Sequence, residues 1–322
     1  MNCGDWRPSA GLAALRLRAT LLDSARSFFR DRGVLEVETP VALSHTVTDV
    51  QLQSLRLAGE STRFLQTSPE YPMKRLLAAG SGDIFQICRV FRAGERSPLH
   101  NPEFTMIEWY RLGFDHGAMM FEAAALANLL LQCGGQPARP VELLSYCDAF
   151  ERELGCDPLT ASLETLATRC AGLGLAAQSV ASASRDDLLD FLVATQVGPR
   201  LGRGQLTCLH HFPASQAALA VLDAADPRTA LRFEVYVEGV ELANGYVELG
   251  NSAEQQQRFS SDLAERERRG LPQHAMDPRL LAALAHGLPA CAGVAMGFDR
   301  VAMLALGASS IDAVLAFPWE RA

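Results

Sequence analysis

Apolar residues recur at helical spacing over residues 12 to 32, LAALRLRATLLDSARSFFRDR, and this stretch stops at Gly33. An apolar side chain every three or four positions gives a helix one buried face, and glycine commonly follows a helix end. The pattern therefore predicts an opening amphipathic helix. The next segment, GVLEVETPVAL, alternates apolar and polar residues until Pro40, which predicts a short strand.

Strand-like and helical patterns then follow one another along the chain. RFLQTSPEYPMKRLLAAG predicts a strand, a turn at Ser68-Pro69 and a helix, whereas DIFQICRVFRAGE and NPEFTMIEWYR predict two strands joined by a polar loop. Helical periods dominate residues 116 to 197, and strands return in QLTCLHHFP and LRFEVYVEGVELANGYVEL. A helix is predicted over 253 to 269. Hairpin strands with helices gathered on one side predict an α+β fold with a mostly antiparallel sheet flanked by helices.

Composition narrows the class of protein. A chain of 322 residues with 48% hydrophobic residues can bury a large core. It contains no apolar run of about 20 residues and no pattern of a cleaved leader, so we predict a cytoplasmic protein without a membrane partner. The net charge of −8 argues against a protein whose main task is to grip nucleic acid, and the eight cysteines form no C-x-x-C pair.

The segment RFEVYVEGVELANGYVEL is rich in glutamates. Glu234, Glu241 and Glu248 are seven residues apart, so regular strands cannot place all three on one face. A turn at Glu238-Gly239 would let Glu234 and Glu241 meet across a hairpin. Two carboxylates beside phosphates suit Mg²⁺, although an ordinary solvated strand edge explains the same residues.

Two arginines also have two readings. Arg300 follows a glycine-spaced turn at the start of a predicted helix, where its charge opposes the helix dipole and favours a bound anion such as a polyphosphate. A simple ion pair with Asp299 is the alternative. Arg92 and Phe104 flank a polar loop and together could hold a phosphate and an adenine, or could be a surface ion pair and a core ring.

The stretch HNPEFTMIEWYR places polar side chains in an otherwise apolar strand. Glu103, Glu108 and Arg111 lie among Phe104, Trp109 and Tyr110 in the sequence. Charged residues are rarely buried without a partner, so the pattern indicates a bound polar group.

Taken together, four segments resemble the three signature motifs of class II aminoacyl-tRNA synthetases in order and character: FFRDRGVLEVETPVA, FRAGERSPLHNPEFTMIEWYR, ELANGYVEL and GVAMGFDRVAMLALG. TSPEYPMKRLLAAG and ELANG narrow the resemblance to the lysyl branch. It covers nearly the whole chain from about residue 12. It implies a single class II synthetase-like catalytic domain over 1–322, with a helical insertion over about 116–197.

The resemblance also implies an activity. Lysyl-tRNA synthetases carry an anticodon-binding domain before their first motif, whereas here that motif begins within the opening helix, so no such N-terminal domain is expected. The chain is similar to stand-alone paralogues that activate lysine or (R)-β-lysine with ATP and Mg²⁺ and transfer it to a lysine side chain of elongation factor P. This implies elongation factor P, not tRNA, as the acceptor. Pro40 falls in the motif of the class II dimer interface, so a homodimer is expected.

Site roles are carried over by the same resemblance. Arg92 and Arg300 are the expected catalytic cations, and Phe104 is expected to stack on adenine. The implied ATP-binding set is Arg92, Ala93, Gly94, Glu95, Asn101, Phe104, Glu241, Leu242, Gly297 and Arg300. The implied substrate-binding set is Ser68, Pro69, Glu70, Tyr110, Asn244, Glu248 and Ala295. Glu234 and Glu241 are the implied Mg²⁺ ligands.

Three departures from the family pattern carry consequences. Ala93-Gly94 precedes the acid of the second motif, which leaves the adenine contact open. Leu99 replaces an arginine, for which Arg96 could substitute from a shifted loop. Ala295 stands where lysyl-tRNA synthetases usually have glycine, and its methyl group predicts a preference for (R)-β-lysine over α-lysine.

Two other functions compete with this interpretation. One is a truncated lysyl-tRNA synthetase that charges tRNA. The other is a non-catalytic, synthetase-like regulatory subunit, against which the presence of Glu234, Glu241 and Arg300 argues.

Overall fold

The computed structural model describes residues 6–59 and 61–322, so Cys3 lies outside the described residues. The chain divides into two compact units, Met1–Ala138 with Glu248–Ala322, and Arg139–Val247. The α-helices are α1 Leu12–Arg30, α2 Glu70–Ala78, α3 His116–Cys133, α4 Tyr146–Leu154, α5 Leu163–Gly172, α6 Ala177–Ser182, α7 Arg185–Leu192, α8 Ser252–Arg268, α9 Pro278–Gly287 and α10 Phe298–Leu306. The strands are β1 Leu35–Glu36, β2 Ala42–Leu43, β3 Arg56–Leu57, β4 Arg63–Leu65, β5 Ile84–Phe91, β6 Glu103–Leu112, β7 Val141–Ser145, β8 Leu206–Pro213, β9 Thr229–Val237, β10 Val240–Val247 and β11 Cys291–Gly297.

The opening helix α1 packs its apolar face into the core of the first unit. Leu21, Ala25 and Phe29 are fully buried, and the ring of Phe29 stacks on Phe85 of β5 with centroids 4.4 Å apart. Gly33 has a φ of 69°, a left-handed conformation that costs glycine little and turns the chain towards β1. The predicted helix is therefore confirmed, with its end two residues earlier than the pattern indicated.

In the first unit, four strands lie side by side in the order β1, β5, β6, β11. The pair β5–β6 is antiparallel from Phe91 opposite Glu103 to Ile84 opposite Tyr110, and β11 runs antiparallel to β6. β1 is parallel to β5, and a second small sheet has the order β2, β4, β3. The two predicted strands around the polar loop are thus a long hairpin.

In the second unit, the strand order is β10, β9, β8, β7. The pairs β9–β10 and β8–β9 are antiparallel, whereas β7 is parallel to β8. Tyr146 and Phe150 of α4 are completely buried in an apolar cluster with residues of α5 and α7. Helices α3 to α7 fall within residues 116–197, where helical periods predicted them, and β7 in the same range was not predicted.

The turn between β9 and β10 is the one the sequence predicted. Glu238 and Gly239 have φ values of 51° and 77°, and two consecutive left-handed residues form a hairpin turn whose twist matches that of the strands. A Cβ on Gly239 would lie 2.8 Å from the carbonyl oxygen of Pro199, so this position requires glycine.

Antiparallel pairs predominate in both units, with helices packed beside the strands. The predicted α+β fold class with a mostly antiparallel sheet is confirmed. Among the described residues, no helix is both long and apolar enough to cross a membrane. The single-domain description with an insertion stays a prediction.

Candidate active site

A cluster of buried and partly buried charged side chains lies in the first unit. We call Glu70, Lys74, Glu108 and Glu248 the acidic cluster. Lys74 is the only lysine of the chain and is 1% exposed. Its Nζ donates to Glu70 Oε1 at 2.6 Å, one helical turn away on α2, and lies 2.7 Å from Glu248 Oε2. Burial alone would lower the pKa of Lys74, but Glu248 and Glu70 hold it well above its ordinary value. Lys74 is therefore a fixed positive charge.

Glu108 of β6 is the third carboxyl group of the cluster and is 2% exposed. It accepts hydrogen bonds from Ser68 Oγ at 2.6 Å and from Tyr110 Oη at 2.7 Å. Residues two apart on a strand share a face, so Tyr110 reaches Glu108 directly. Burial raises the pKa of Glu108 to about 8, and repulsion by Glu70 adds to this, while the two hydrogen bonds act in the opposite direction.

The acidic cluster has more acid than base. Glu70 and Glu248 share a single ammonium, Glu108 has none, and Glu248 has a pKa raised to about 7 by burial, opposed by Lys74. Buried carboxylates are stable only when a cation or hydrogen-bond donors compensate them. An ammonium-bearing ligand would supply the missing positive charge. The cluster is therefore suited to bind a cation.

Strand β11 forms one boundary of this cluster. Gly293 pairs with Tyr110, and Ala295 pairs with Glu108. A Cβ on Gly293 would lie 2.4 Å from both Tyr110 Cε1 and Glu248 Oε1, closer than real Cβ atoms approach. The absence of a side chain at Gly293 therefore leaves room for the side chains of Tyr110 and Glu248. Ala295 is half-buried and lies opposite Glu108.

The loop between β5 and β6 carries the predicted nucleotide contacts. The guanidinium carbon of Arg92 lies 5.2 Å from the ring centroid of Phe104, close enough for a cation–π contact. Arg92 Nε is buried with no hydrogen-bond partner among the described residues, and its nearest ion pair, with Glu95, spans 3.9 Å. Buried donors are normally satisfied, so Arg92 has capacity for an anionic ligand. Ala93 and Gly94 lie beside it, Gly94 with a φ of 79°.

Asn101, by contrast, holds the loop. It is 3% exposed, and its Nδ2 donates to the carbonyl oxygen of Glu103 at 2.6 Å. Its Oδ1 accepts from the backbone N–H of Trp319 at 3.0 Å. Both amide atoms of Asn101 thus bind the protein's own backbone.

Arg300 lies in the first turn of α10, one turn after Gly297. Its Nε donates to the carbonyl oxygen of Leu99 at 3.2 Å, and its Nη2 lies 2.6 Å from His100 Nε2. Asp299 instead accepts from Arg18 and from the backbone N–H of Thr105. The guanidinium of Arg300 thus contacts the loop that Arg92 begins.

The predicted metal ligands, Glu234 and Glu241, and two further predicted residues belong to the second unit. Glu241 lies opposite Tyr236 and Asn244 lies opposite Glu234, with a register shift between Glu241 and Ala243. The extra residue of this bulge lets Glu241 and Asn244, three apart, share the face of Glu234. Leu242, at the bulge, is 1% exposed. Regular alternation would have placed Glu241 and Asn244 on opposite faces.

Glu234 is 7% exposed and accepts from Tyr236 Oη at 2.7 Å and from Arg232 Nη2 at 2.6 Å. Burial and then repulsion by Glu241 raise its pKa. Asn244 Oδ1 is buried, and the described part of the chain offers it no hydrogen-bond partner. Nowhere in that part do three or more His, Cys, Asp or Glu side chains form a metal-binding group. Any Mg²⁺ on these two carboxylates would need ligands from a substrate.

This fold and these residues define a class of protein. The chain matches the family of class II tRNA synthetases (D, K and N) over residues 3–321 and belongs to that family, which confirms the predicted resemblance. Among similar proteins is the elongation factor P--(R)-beta-lysine ligase of Vibrio cholerae, 49% identical over 330 residues that cover 100% of both chains. The ligase of the same name from Yersinia enterocolitica is 49% identical over 325 residues, covering 99% of this chain and 98% of that protein.

Sequence reasoning assigned no role to three residues of this site. Glu108 stood out as a charge among aromatic residues, and Lys74 lies four residues after Glu70, a spacing that signals a helical ion pair. Gly293 is the first glycine of the closing motif, and only the strand register shows that Tyr110 lies opposite it.

Proposed function

We propose that the chain is an ATP-dependent ligase that activates (R)-β-lysine, or lysine, as an aminoacyl-adenylate and transfers it to a lysine side chain of elongation factor P. Full-length similarity to proteins named as such ligases supports the activity. The observation in the molecule that carries the proposal is the acidic cluster, in which Glu70 and Glu248 pair with the single ammonium of Lys74 and a third carboxyl group, Glu108, is buried without a cation.

The acidic cluster matches a substrate with two amino groups. The proposed substrate brings two ammonium groups to a group of three acids and one base, and its positive charge favours the ionised forms of Glu108 and Glu248, whose pKa values are raised without substrate. We assign the near amino group to Glu70 and the side-chain ammonium to Glu248 and Tyr110. Ser68 and Pro69 precede Glu70 in the turn before α2, and Ser68 holds Glu108 in place by its hydrogen bond. Asn244 is assigned to the substrate carboxylate through its side-chain amide.

ATP is assigned to the loop residues and to the start of α10. Phe104 would stack on adenine, while Arg92 would meet the α-phosphate and the substrate carboxylate through the guanidinium that has a buried unpaired Nε. Arg300 would bind the other phosphates. The remaining proposed contacts are Ala93, Gly94, Glu95, Asn101, Glu241, Leu242 and Gly297. For Asn101 the proposal requires its carbonyl or amide to serve ATP in addition to the backbone groups it already binds.

Mg²⁺ would be held by Glu234 and Glu241, which share one strand face. Two carboxylates are what this ion usually takes from a protein, with phosphate oxygens and water completing its shell. When bound, the ion would neutralise charge on the phosphates during the transfer.

The proposed chemistry needs no nucleophilic side chain. An oxygen of the substrate carboxylate attacks the α-phosphorus, the bond to the β-phosphate oxygen breaks, and pyrophosphate leaves with its electron pair. The neutral acceptor amine then attacks the carbonyl carbon of the mixed anhydride. The bond from this carbon to the phosphate oxygen breaks, AMP leaves with the electron pair, and the nitrogen releases one proton to solvent as the amide forms. The protein's contribution is to hold the reactants in line and to place Arg92 and Arg300 where negative charge builds up.

Further parts of the proposal extend the sequence predictions. Ala295 pairs with Glu108 beside the acidic cluster, so its methyl group shortens the space there and favours (R)-β-lysine over α-lysine. We also propose a homodimer, a cytoplasmic location, and one catalytic domain in which residues 116–197 serve as scaffold.

The test follows labelled lysine and (R)-β-lysine, with ATP and Mg²⁺, into purified elongation factor P and total tRNA in parallel reactions. Label on elongation factor P, strongest with the β-isomer, is expected. Because the chain's only lysine is buried, label at a lysine side chain reports the acceptor and not the enzyme. Label on tRNA alone would establish a tRNA synthetase, and absence of adenylate formation would establish a non-catalytic protein.

A matched pair of variants tests the site itself. Arg92→Ala is expected to abolish adenylate formation, measured as ATP–pyrophosphate exchange. Arg89→Ala is the control, because Arg89 lies three residues earlier with a half-exposed side chain and a long ion pair to Glu103 at 3.6 Å. Equal loss in both variants would refute the role of Arg92.

A further inference from the structure

The loop between β5 and β6, residues 92–102, is tied to the C-terminal segment, residues 311–321. We call these the nucleotide loop and the C-terminal segment. Arg96 of the loop places Nε 2.5 Å from Glu320 Oε1 and Nη2 2.9 Å from Asp312 Oδ2. The hydrogen bonds to Asp312 and Glu320 raise the pKa of Arg96 above its ordinary value. The guanidinium of Arg96 therefore binds two carboxylates of the C-terminal segment, more than 200 residues further along the chain.

Two further hydrogen bonds reinforce this connection in the part of the loop that follows Arg96. The N–H of Ile311 donates to the carbonyl oxygen of Pro98 at 2.8 Å. The N–H of Trp319 donates to Asn101 Oδ1 at 3.0 Å. The nucleotide loop is thus held by the C-terminal segment at three points, Arg96, Pro98 and Asn101, which follow the start of the loop at Arg92. A loop fixed at several points loses less conformational entropy when a ligand binds.

From these contacts we infer that Arg96 is a positioning residue for the nucleotide: by pairing with Asp312 and Glu320 it holds the nucleotide loop in the conformation that presents Arg92 to ATP. The inference rests on the proposed function, because it takes the loop as part of the ATP site. It gives the C-terminal segment a role in nucleotide binding through its contacts with the loop.

The same contacts argue against a direct role for Arg96 on phosphate. Leu99 stands where the family pattern has an arginine, and the sequence offers Arg96 as a substitute for that arginine from a shifted loop. Two carboxylates already neutralise its charge and occupy Nε and Nη2. A phosphate would have to displace both acids and would lose the fork geometry that makes arginine a good phosphate ligand.

Variants of Asp312 and Glu320 distinguish a positioning role of Arg96 from direct binding of phosphate. If Arg96 positions the loop, then Asp312→Asn with Glu320→Gln should raise the KM for ATP as Arg96→Ala does. If Arg96 binds phosphate directly, removing its two acids should leave the KM for ATP unchanged or lower it. The triple variant combines Arg96→Ala with Asp312→Asn and Glu320→Gln. Residues that act through the same contact give effects on KM that do not add, so this variant tests whether Arg96 acts through the two acids.

The assay is ATP–pyrophosphate exchange with the KM for ATP and the KM for the amino acid measured separately. Arg96→Ala and the double acid variant are each expected to raise the KM for ATP by about twofold to fivefold, the range for partly exposed ion pairs. The triple variant should show no further rise. The KM for the amino acid should stay unchanged, and Arg96→Lys, which keeps one pair, should lie between wild type and Arg96→Ala.

Arg152→Ala is the matched control. Arg152 also joins two carboxylates, Glu142 and Glu153, each at 2.9 Å, and its side chain is 38% exposed against 33% for Arg96. It should leave both KM values at the wild-type level. An unchanged KM for ATP in Arg96→Ala, or in the acid variant alone, would overturn the inference. Absence of exchange in the wild-type protein would instead overturn the proposed function.

Discussion

Replacing Glu108 by glutamine should change how stability depends on pH. The amide can accept a hydrogen bond from one hydroxyl and donate to the other, so it imitates the protonated acid between Ser68 and Tyr110. It cannot ionise. The variant therefore removes one titrating group from the acidic cluster with little change in shape.

The sign and size follow from the pKa. Burial raises the pKa of Glu108 from 4.5 to about 8, so between these values the folded protein holds a proton that the unfolded chain has released. A folded state that binds more protons loses stability as the pH rises, by about 1.4 kcal/mol per pH unit for one group. Between pH 6 and pH 8 the contribution of Glu108 should fall by about 2 kcal/mol, with the curve flattening near pH 8.

The assay is urea unfolding of wild type and Glu108→Gln at pH 6, 7 and 8 without substrate. Other groups titrate in this range, among them Glu248 with a pKa of about 7, so only the difference between the two proteins is informative. Glu108→Gln should gain about 2 kcal/mol relative to wild type over this interval. Parallel stability curves would refute the conclusion that Glu108 is protonated in the folded protein near neutral pH.

Three further outcomes are expected from the same site. Gly293→Ala should lower the free energy of unfolding, measured in urea, by about 1–3 kcal/mol, because its Cβ would lie 2.4 Å from Tyr110 and Glu248. A loss below about 0.5 kcal/mol would show that the neighbouring side chains move to accommodate the methyl group. Lys74→Met should lower it by about 3–5 kcal/mol by leaving buried acids unpaired, and adding Glu248→Gln should restore part of the loss; no recovery would contradict the pairing. Ala295→Gly should raise kcat/KM for α-lysine relative to (R)-β-lysine in pyrophosphate exchange, and an unchanged ratio would argue against the methyl group as the determinant.

One control accompanies the glycine substitution. Gly172→Ala adds the same methyl group at the end of α5, where a Cβ meets no described atom within 4 Å and φ is not left-handed. It should leave the free energy of unfolding near that of wild type or raise it slightly. A loss equal to that of Gly293→Ala would show that the effect does not come from the acidic cluster.

The sequence by itself determined the local elements and the family. Helix α1, the long hairpin of β5 and β6, and the turn at Glu238-Gly239 follow from periodicity and turn chemistry, which depend on neighbours in the chain. Motif order was enough to indicate a class II synthetase-like protein, and the match over residues 3–321 confirms it. β7 was missed because its five residues lie among helical periods and pair only with a distant strand.

Tertiary structure alone decided how the charges are paired. Nothing local in the sequence says that Lys74 meets Glu248, that Arg96 joins Asp312 to Glu320, or that Gly293 lies against Tyr110, because these contacts depend on strand register and on packing between distant segments. The bulge after Glu241 is a similar case, since one extra residue reverses which face each later side chain takes. Side-chain burial then determines which of these charges are perturbed, and burial is a property of the folded chain.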